Sequence, residues 1–151
     1  AFRRCSDSEG KKGMIVKMTN EDLINIAKNA RKNAFANTTG YTVGAALLAK
    51  SGTVYIGTNV EEYSIPGLSN CAERVAIQSA LSYGEREFEA IAVVGGIKEN
   101  EKVDNTLVPC AVCLQYMLDI CKNINIITYI EGKLVCNKVK DFLVLPYEFK
   151  K

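Results

Sequence analysis

This chain of 151 residues has no histidine and no tryptophan, and only three prolines. Without an imidazole base, Ser-His and Cys-His nucleophilic catalysis are excluded. No apolar run approaches the ~20 residues that a membrane-spanning helix needs. An excess of one charge is also missing: 19 Lys and Arg stand against 17 Asp and Glu, for a net charge of +2. The lysines are scattered, with Lys11, Lys12, Lys138, Lys140, Lys150 and Lys151 toward the two ends. No basic stripe alternates with aromatics, so neither a nucleic acid nor a membrane is expected as partner.

What is present fits one globular domain. Apolar residues make up 48% and charged residues 24%, ordinary proportions for a chain of this length. The opening "AFRRCSDSEGKKG" carries charge but no apolar segment. It reads as a flexible arm over residues 1–13, not as a secretory signal, with the ordered domain over 14–151. Six cysteines without such a signal point to a reducing, cytoplasmic setting. There a cysteine pattern more often means metal or catalysis than disulfides.

Along the chain, "MTNEDLINIAKNARKNAFAN" predicts an amphipathic helix with Thr19 as N-cap and Asp22 completing a capping box. Met18 and Leu23 make the matching hydrophobic staple. "YTVGAALLAKSGTVYIGTNVE" reads as a β-hairpin turning at Lys50-Ser51-Gly52. A loop containing Pro66-Gly67 leads into a helix from Cys71 that Gly84 should stop. "FEAIAVVGG" has the nearly continuous apolar pattern of a strand covered on both faces. A polar loop over 98–106 precedes a third helix, "VPCAVCLQYMLDIC", with Pro109 at its start. "INIITYI" and "KLVCNKV" close the series as strands. The order α-β-β-α-β-α-β-β predicts a three-layer α/β/α domain around a mixed central sheet of about five strands.

The chemistry concentrates at two helix starts. Cys110 and Cys113 are spaced i, i+3 and share a helical face. Cys71 opens another helix, with Glu73 and Arg74 in the same turn. The first turn of a helix carries unpaired N–H groups and the positive end of the dipole, which favour thiolate, the form that binds zinc. Three thiolates meeting at one point would leave a fourth tetrahedral position for water, the arrangement of catalytic zinc. A carboxylate near the metal but not bound to it would then move protons, and Glu73 stands where that group is needed. Three thiolates on Zn²⁺ leave a net charge of about −1, which the Arg74 guanidinium could temper by hydrogen bonding a sulfur.

Other readings of these residues stay open. The thiols could be buried core cysteines, Cys110 and Cys113 a redox pair, or the three part of a structural four-cysteine site completed by Cys5, Cys121 or Cys136. Glu73 and Arg74 could be a solvated helix face. Asn59 and Glu61 could be strand-end turn residues, and Tyr41 and Phe149 core aromatics.

The motifs "VGAALL" (43–48), "NVE" (59–61), "CAER" (71–74), "PCAVCLQ" (109–115) and "VLPYEF" (144–149) resemble the cytidine deaminase family, in its small three-cysteine branch. That resemblance implies a cytidine-deaminase-like fold and zinc-dependent deamination of cytidine or deoxycytidine in pyrimidine salvage. It implies one Zn²⁺ per subunit on Cys71, Cys110 and Cys113, with Glu73 carrying protons to N3 and to the leaving amine. It further implies that the backbone at Ala72 accepts a hydrogen bond from the base amino group and that Asn59 and Glu61 hold the ribose hydroxyls. Tyr41 would line the base pocket. Phe149 would reach over a substrate from a neighbouring subunit, in a homotetramer with shared active sites. Departures from the family pattern include "NTTGY" before "VGAALL", a longer loop between Glu61 and Cys71, Ala111 and Leu114. The rival substrate is another cytosine-bearing nucleoside, such as a blasticidin-like antibiotic; the remoter alternative is a non-catalytic zinc- or pyrimidine-binding module.

Overall fold

Residues 17–65 and 67–148 are described by a computed structural model. The expected arm over 1–13, Cys5 and Phe149 lie outside these residues. Helix α1, Asn20–Arg31, is capped as its sequence predicts. Thr19 Oγ1 accepts from Asp22 N at 3.1 Å, and Asp22 Oδ2 accepts from Thr19 N at 2.9 Å. Met18 packs against the same apolar cluster as Leu23, so the staple is in place. The helix ends at Arg31, before the end of the segment that predicts it.

Strands β1, Tyr41–Ala49, and β2, Val54–Thr58, form the hairpin. Gly52 adopts a φ of +90° at its turn, a conformation cheap only for glycine. Strand β3, Phe88–Ile97, is buried along nearly its whole length, as a central strand covered on both faces must be. Strands β4, Asn125–Ile130, and β5, Lys133–Lys138, complete a five-stranded sheet of order β2-β1-β3-β4-β5. Only the β3–β4 pair is parallel, which makes the sheet mixed.

Alternation along the strands sorts the core into two layers. Ala46, Leu48, Ala90, Ala92, Val94 and Ile127 face α1. Ala45, Leu47, Ile91, Val93 and Ile126 face helices α2, Ala72–Ser82, and α3, Ala111–Cys121. Close contact on each face depends on a glycine. A Cβ at Gly44 would sit 2.1 Å from Ala27 O of α1, and one at Gly57 would sit 2.1 Å from Ala72 O of α2. The architecture is the expected three layers.

This topology decides where the chemistry lies. Strands β2 and β3 each run antiparallel to β1 between them, so the chain leaves both at the same end of the sheet. Helices α2 and α3 follow those strands in sequence and present their N-termini at that end.

Two local expectations are corrected. Helix α3 begins at Ala111 with Cys110 as its N-cap, so Pro109 stands one residue before the cap and not in the first turn. A further short helix, α4, Val139–Phe142, follows β5. It is closed by Asp141 Oδ2 accepting from Lys138 N at 2.8 Å, a cap masked in the sequence by the strand pattern before it. Among the described residues no helix is long and apolar enough to cross a membrane.

Candidate metal and catalytic site

Cys71 is the N-cap of α2 and Cys110 that of α3, both with extended backbone, while Cys113 lies in the first turn of α3. Their three Sγ atoms all lie within 4.8 Å of one another, and Cys71 Sγ is 4.0 Å from Cys110 Sγ. Tetrahedral zinc with Zn–S bonds of about 2.3 Å requires sulfurs ~3.8 Å apart. The donor set therefore fits a zinc ion with small inward shifts. Cys113 N donates to Cys110 Sγ at 3.5 Å, the helix-end polarity that favours a thiolate. Cys113 is buried, Cys71 half-buried and Cys110 exposed, so the cluster is sealed behind and open in front.

The open side is a cavity of about 180 Å³ whose walls include Cys71, Ala72, Glu73, Cys110 and Asn59. Val43, Leu107, Val108 and Pro109 supply its apolar surface. None of these four is expected as a site residue from the sequence. The alternation of β1 could have revealed Val43; the loop residues have no comparable local signal. A larger cleft, about 340 Å³, is lined by Lys28, Arg31, Lys32 and Thr42. It lies on the α1 side of the sheet, away from the thiols.

The Cys113 thiol close beside it, with help from Arg74, pulls Cys71 down to about 5. The same proximity, together with burial, pushes Cys113 up. Glu73 is only 4% exposed, which rules out the solvated helix face. Its burial raises the carboxyl to about 7, with the neighbouring Cys71 adding to the shift. A carboxyl of that kind can both take and give a proton near neutral pH. Arg74 Nη2 lies 4.0 Å from Cys71 Sγ and donates to Ser69 O at 3.3 Å. It touches the sulfur whose charge it was expected to temper.

The remaining site residues fall into different places. Asn59 follows the last residue of β2 and plugs its carboxamide into β1. Its Nδ2 donates to Tyr41 O and its Oδ1 accepts from Val43 N, both at 2.8 Å. Its side chain thus substitutes for strand pairing just where the ladder ends. Glu61 binds the Thr38–Thr39 turn, and its carboxyl is held below the usual range chiefly by the Thr39 hydroxyl. Tyr41 donates from its hydroxyl to Asp104 Oδ2 at 2.7 Å, and its ring lies over Gly95, where a Cβ would come within 2.9 Å. Neither Glu61 nor Tyr41 is among the cavity's walls.

Ala72 is fully buried and lines the cavity. Its carbonyl oxygen is turned against Gly57, down the helix and away from a ligand. As the first residue of α2, Ala72 has an N–H with no partner within the helix. The backbone group it can offer is a donor, where an acceptor was expected.

Among the described residues the other two cysteines do not join the cluster. Cys121 is buried in the α2/α3 core, and Cys136 packs on the opposite face of the sheet. Among the described residues the three thiols have no fourth cysteine beside them.

Residues 17–128 match the family model described as the cytidine and deoxycytidylate deaminase zinc-binding region. The chain is 42% identical over 104 residues to a cytidine deaminase from Halalkalibacterium halodurans, covering 69% of this chain and 74% of that one. It is 32% identical over 108 residues to a blasticidin-S deaminase from Bacillus cereus, covering 70% and 76%. The fold matches the crystal structure of a cytidine deaminase from Burkholderia pseudomallei with a TM-score of 0.75 and 39% identity. That match covers 86% of this chain and 100% of the other.

Proposed function

This chain belongs to the cytidine and deoxycytidylate deaminase family, and from that membership we propose that it hydrolyses the amino group of a free cytosine nucleoside. Cytidine or deoxycytidine and water give uridine or deoxyuridine and ammonia. The observation that carries this reading is a buried carboxyl beside a cluster of three thiols, two of which, Cys71 and Cys110, line one small cavity with it. Cys71, Cys110 and Cys113 would hold zinc, which would supply the Lewis acidity that makes water nucleophilic at neutral pH.

The chain's own groups do the rest. Glu73 accepts one proton from the attacking water and delivers it to ring N3, then takes the second from the new C4 hydroxyl and delivers it to the departing amine, leaving the uracil carbonyl. Its burial suits both directions of transfer. The Ala72 N–H donates to the ring carbonyl oxygen, holding the base with its amino-bearing carbon toward the thiols. Asn59, anchored to β1 by its amide, keeps a spare N–H hydrogen for a sugar hydroxyl. Val43, Leu107 and Val108 exclude water from the faces of the base.

Arg74 tempers the thiolate charge. Arg74→Gln should lower turnover or zinc retention by about fivefold, the scale of one charge-assisted hydrogen bond at a partly exposed site. Zinc content after dialysis and kcat together check this, and unchanged values for both would sink the role.

Exposed apolar residues on the cavity wall and in the first turn of α3, Val108 and Val112, support a homotetramer whose subunits complete one another's sites. We place this enzyme in the cytoplasm, in pyrimidine salvage. The likeness to a blasticidin-S deaminase favours a second substrate class, cytosine-bearing nucleoside antibiotics. Metal analysis together with the ultraviolet change on mixing with cytidine, deoxycytidine and blasticidin S tests these readings. Bound zinc and conversion of the first two are expected. A zinc-free protein that converts none of the three overturns the proposal.

A further inference from the structure

The segment after β2 is extended: Val60 bridges Phe35 on one side and Asn70 on the other. Asn59 and Glu61 therefore leave it on the same side. Asn59 lines the cavity, which puts Glu61 at the rim. There the Glu61 carboxylate is gripped by a turn more than twenty residues earlier in the chain. Gly40 N donates to Ala36 O at 3.0 Å, with Gly40 at a φ of +70°. The turn so closed aims two successive N–H groups at one anion. Thr38 N and Thr39 N donate to Glu61 Oε2 at 2.9 and 3.0 Å, and Thr39 Oγ1 donates to Oε1. Thr39 Oγ1 also accepts from Tyr41 N at 3.0 Å. Its single proton is thus committed to Glu61.

A carboxylate offers about four acceptor positions. Three are filled by the turn. We propose that Thr39 is a positioning residue for substrate selection, holding Glu61 so that one acceptor position remains for one hydroxyl of the substrate's sugar. This rests on the reading that Glu61 meets the sugar. The consequence is asymmetric recognition: removal of one ribose hydroxyl weakens binding strongly, and removal of the other is tolerated. Thr39 is exposed, and valine there keeps the shape and the backbone donor while deleting the hydroxyl.

The test uses the zinc-loaded full chain with cytidine, 2′-deoxycytidine and 3′-deoxycytidine, measuring kcat and KM separately. In the wild type one deletion should raise KM about tenfold and the other no more than about twofold. Thr39→Val should raise KM about fivefold for the two substrates that keep the sensitive hydroxyl. It should leave KM for the third substrate, and kcat for all three, within about twofold, and Thr39→Ser should restore the wild-type pattern. An equal rise on all three substrates, no rise, or no rescue by serine overturns the proposal. Glu61→Ala tells the two readings apart. If it abolishes the discrimination while Thr39→Val does not, only the role of Thr39 falls. If it preserves the discrimination, the assignment of Glu61 to the sugar falls as well.

Discussion

Replacing Glu73 with glutamine lowers kcat for cytidine by about a thousandfold, within the range of a lost general acid–base group, and leaves the zinc content unchanged. The expectation follows from the position of the side chain. Glu73 is sealed from water beside Cys71 and Cys113 but contributes no sulfur to the cluster. Glutamine has nearly the same shape and can hydrogen bond, but it cannot carry a proton between water, N3 and the leaving amine. KM should therefore change far less than kcat. Metal analysis and steady-state kinetics on the same sample check both halves. If Glu73→Gln retained more than about a tenth of wild-type turnover, the proton would have to travel another way. If it lost zinc, Glu73 would have to be counted among the ligands.

Removing Cys113 gives the second large effect. Cys113→Ala takes away the one fully buried sulfur of the three, at the back of the cluster where no water can take its place. The variant should bind less than about a tenth of the wild-type zinc at micromolar free metal and show no deamination above background. It should still fold, because both apolar clusters are built mainly from side chains other than the thiols. Their members run from Leu23 and Ile24 on the α1 side to Ile77, Ile91 and Ile126 on the other. Its melting temperature should no longer respond to added zinc, whereas the wild type gains stability from a ligand bound only to the native state. Stripping zinc from the wild type with a chelator should reproduce the variant's inactivity, and adding zinc back should reverse it only in the wild type. Full zinc occupancy in Cys113→Ala would refute the three-thiolate assignment.

Much of the fold is legible from local pattern. The Thr19–Asp22 capping box, the Gly52 hairpin and the Gly84 stop depend on residues a few positions apart, and the structure shows them as read. The apolar run of β3 announces a strand covered on both faces. The cysteines and Glu73 are legible for a related reason: helix starts have a fixed geometry and polarity, so residue types at those positions already constrain the chemistry. What could not be read are contacts between residues far apart in sequence. The Glu61 carboxylate meets Thr38 and Thr39, Tyr41 meets Asp104, and the Asn59 amide joins β1 only because β2 ends beside it. The direction of the Ala72 carbonyl is likewise set from outside its own helix, by Gly57 on β2, against which α2 sits.

By itself, then, the amino-acid order determined which elements form and which residues stand at their ends: two helix starts bearing thiols, one of them followed by a carboxylate. Those features depend on backbone propensity and short-range hydrogen bonds, which act along the chain. Only the tertiary structure decided that the two helix starts meet. With β2 and β3 pointing the same way across β1, the chain leaves the sheet twice at one end, and sulfurs 39 residues apart come within 4.0 Å. The same packing buries Glu73, leaves the Ala72 N–H free and hands Glu61 to a distant turn, because a side chain's partners and its desolvation are set by the elements around it.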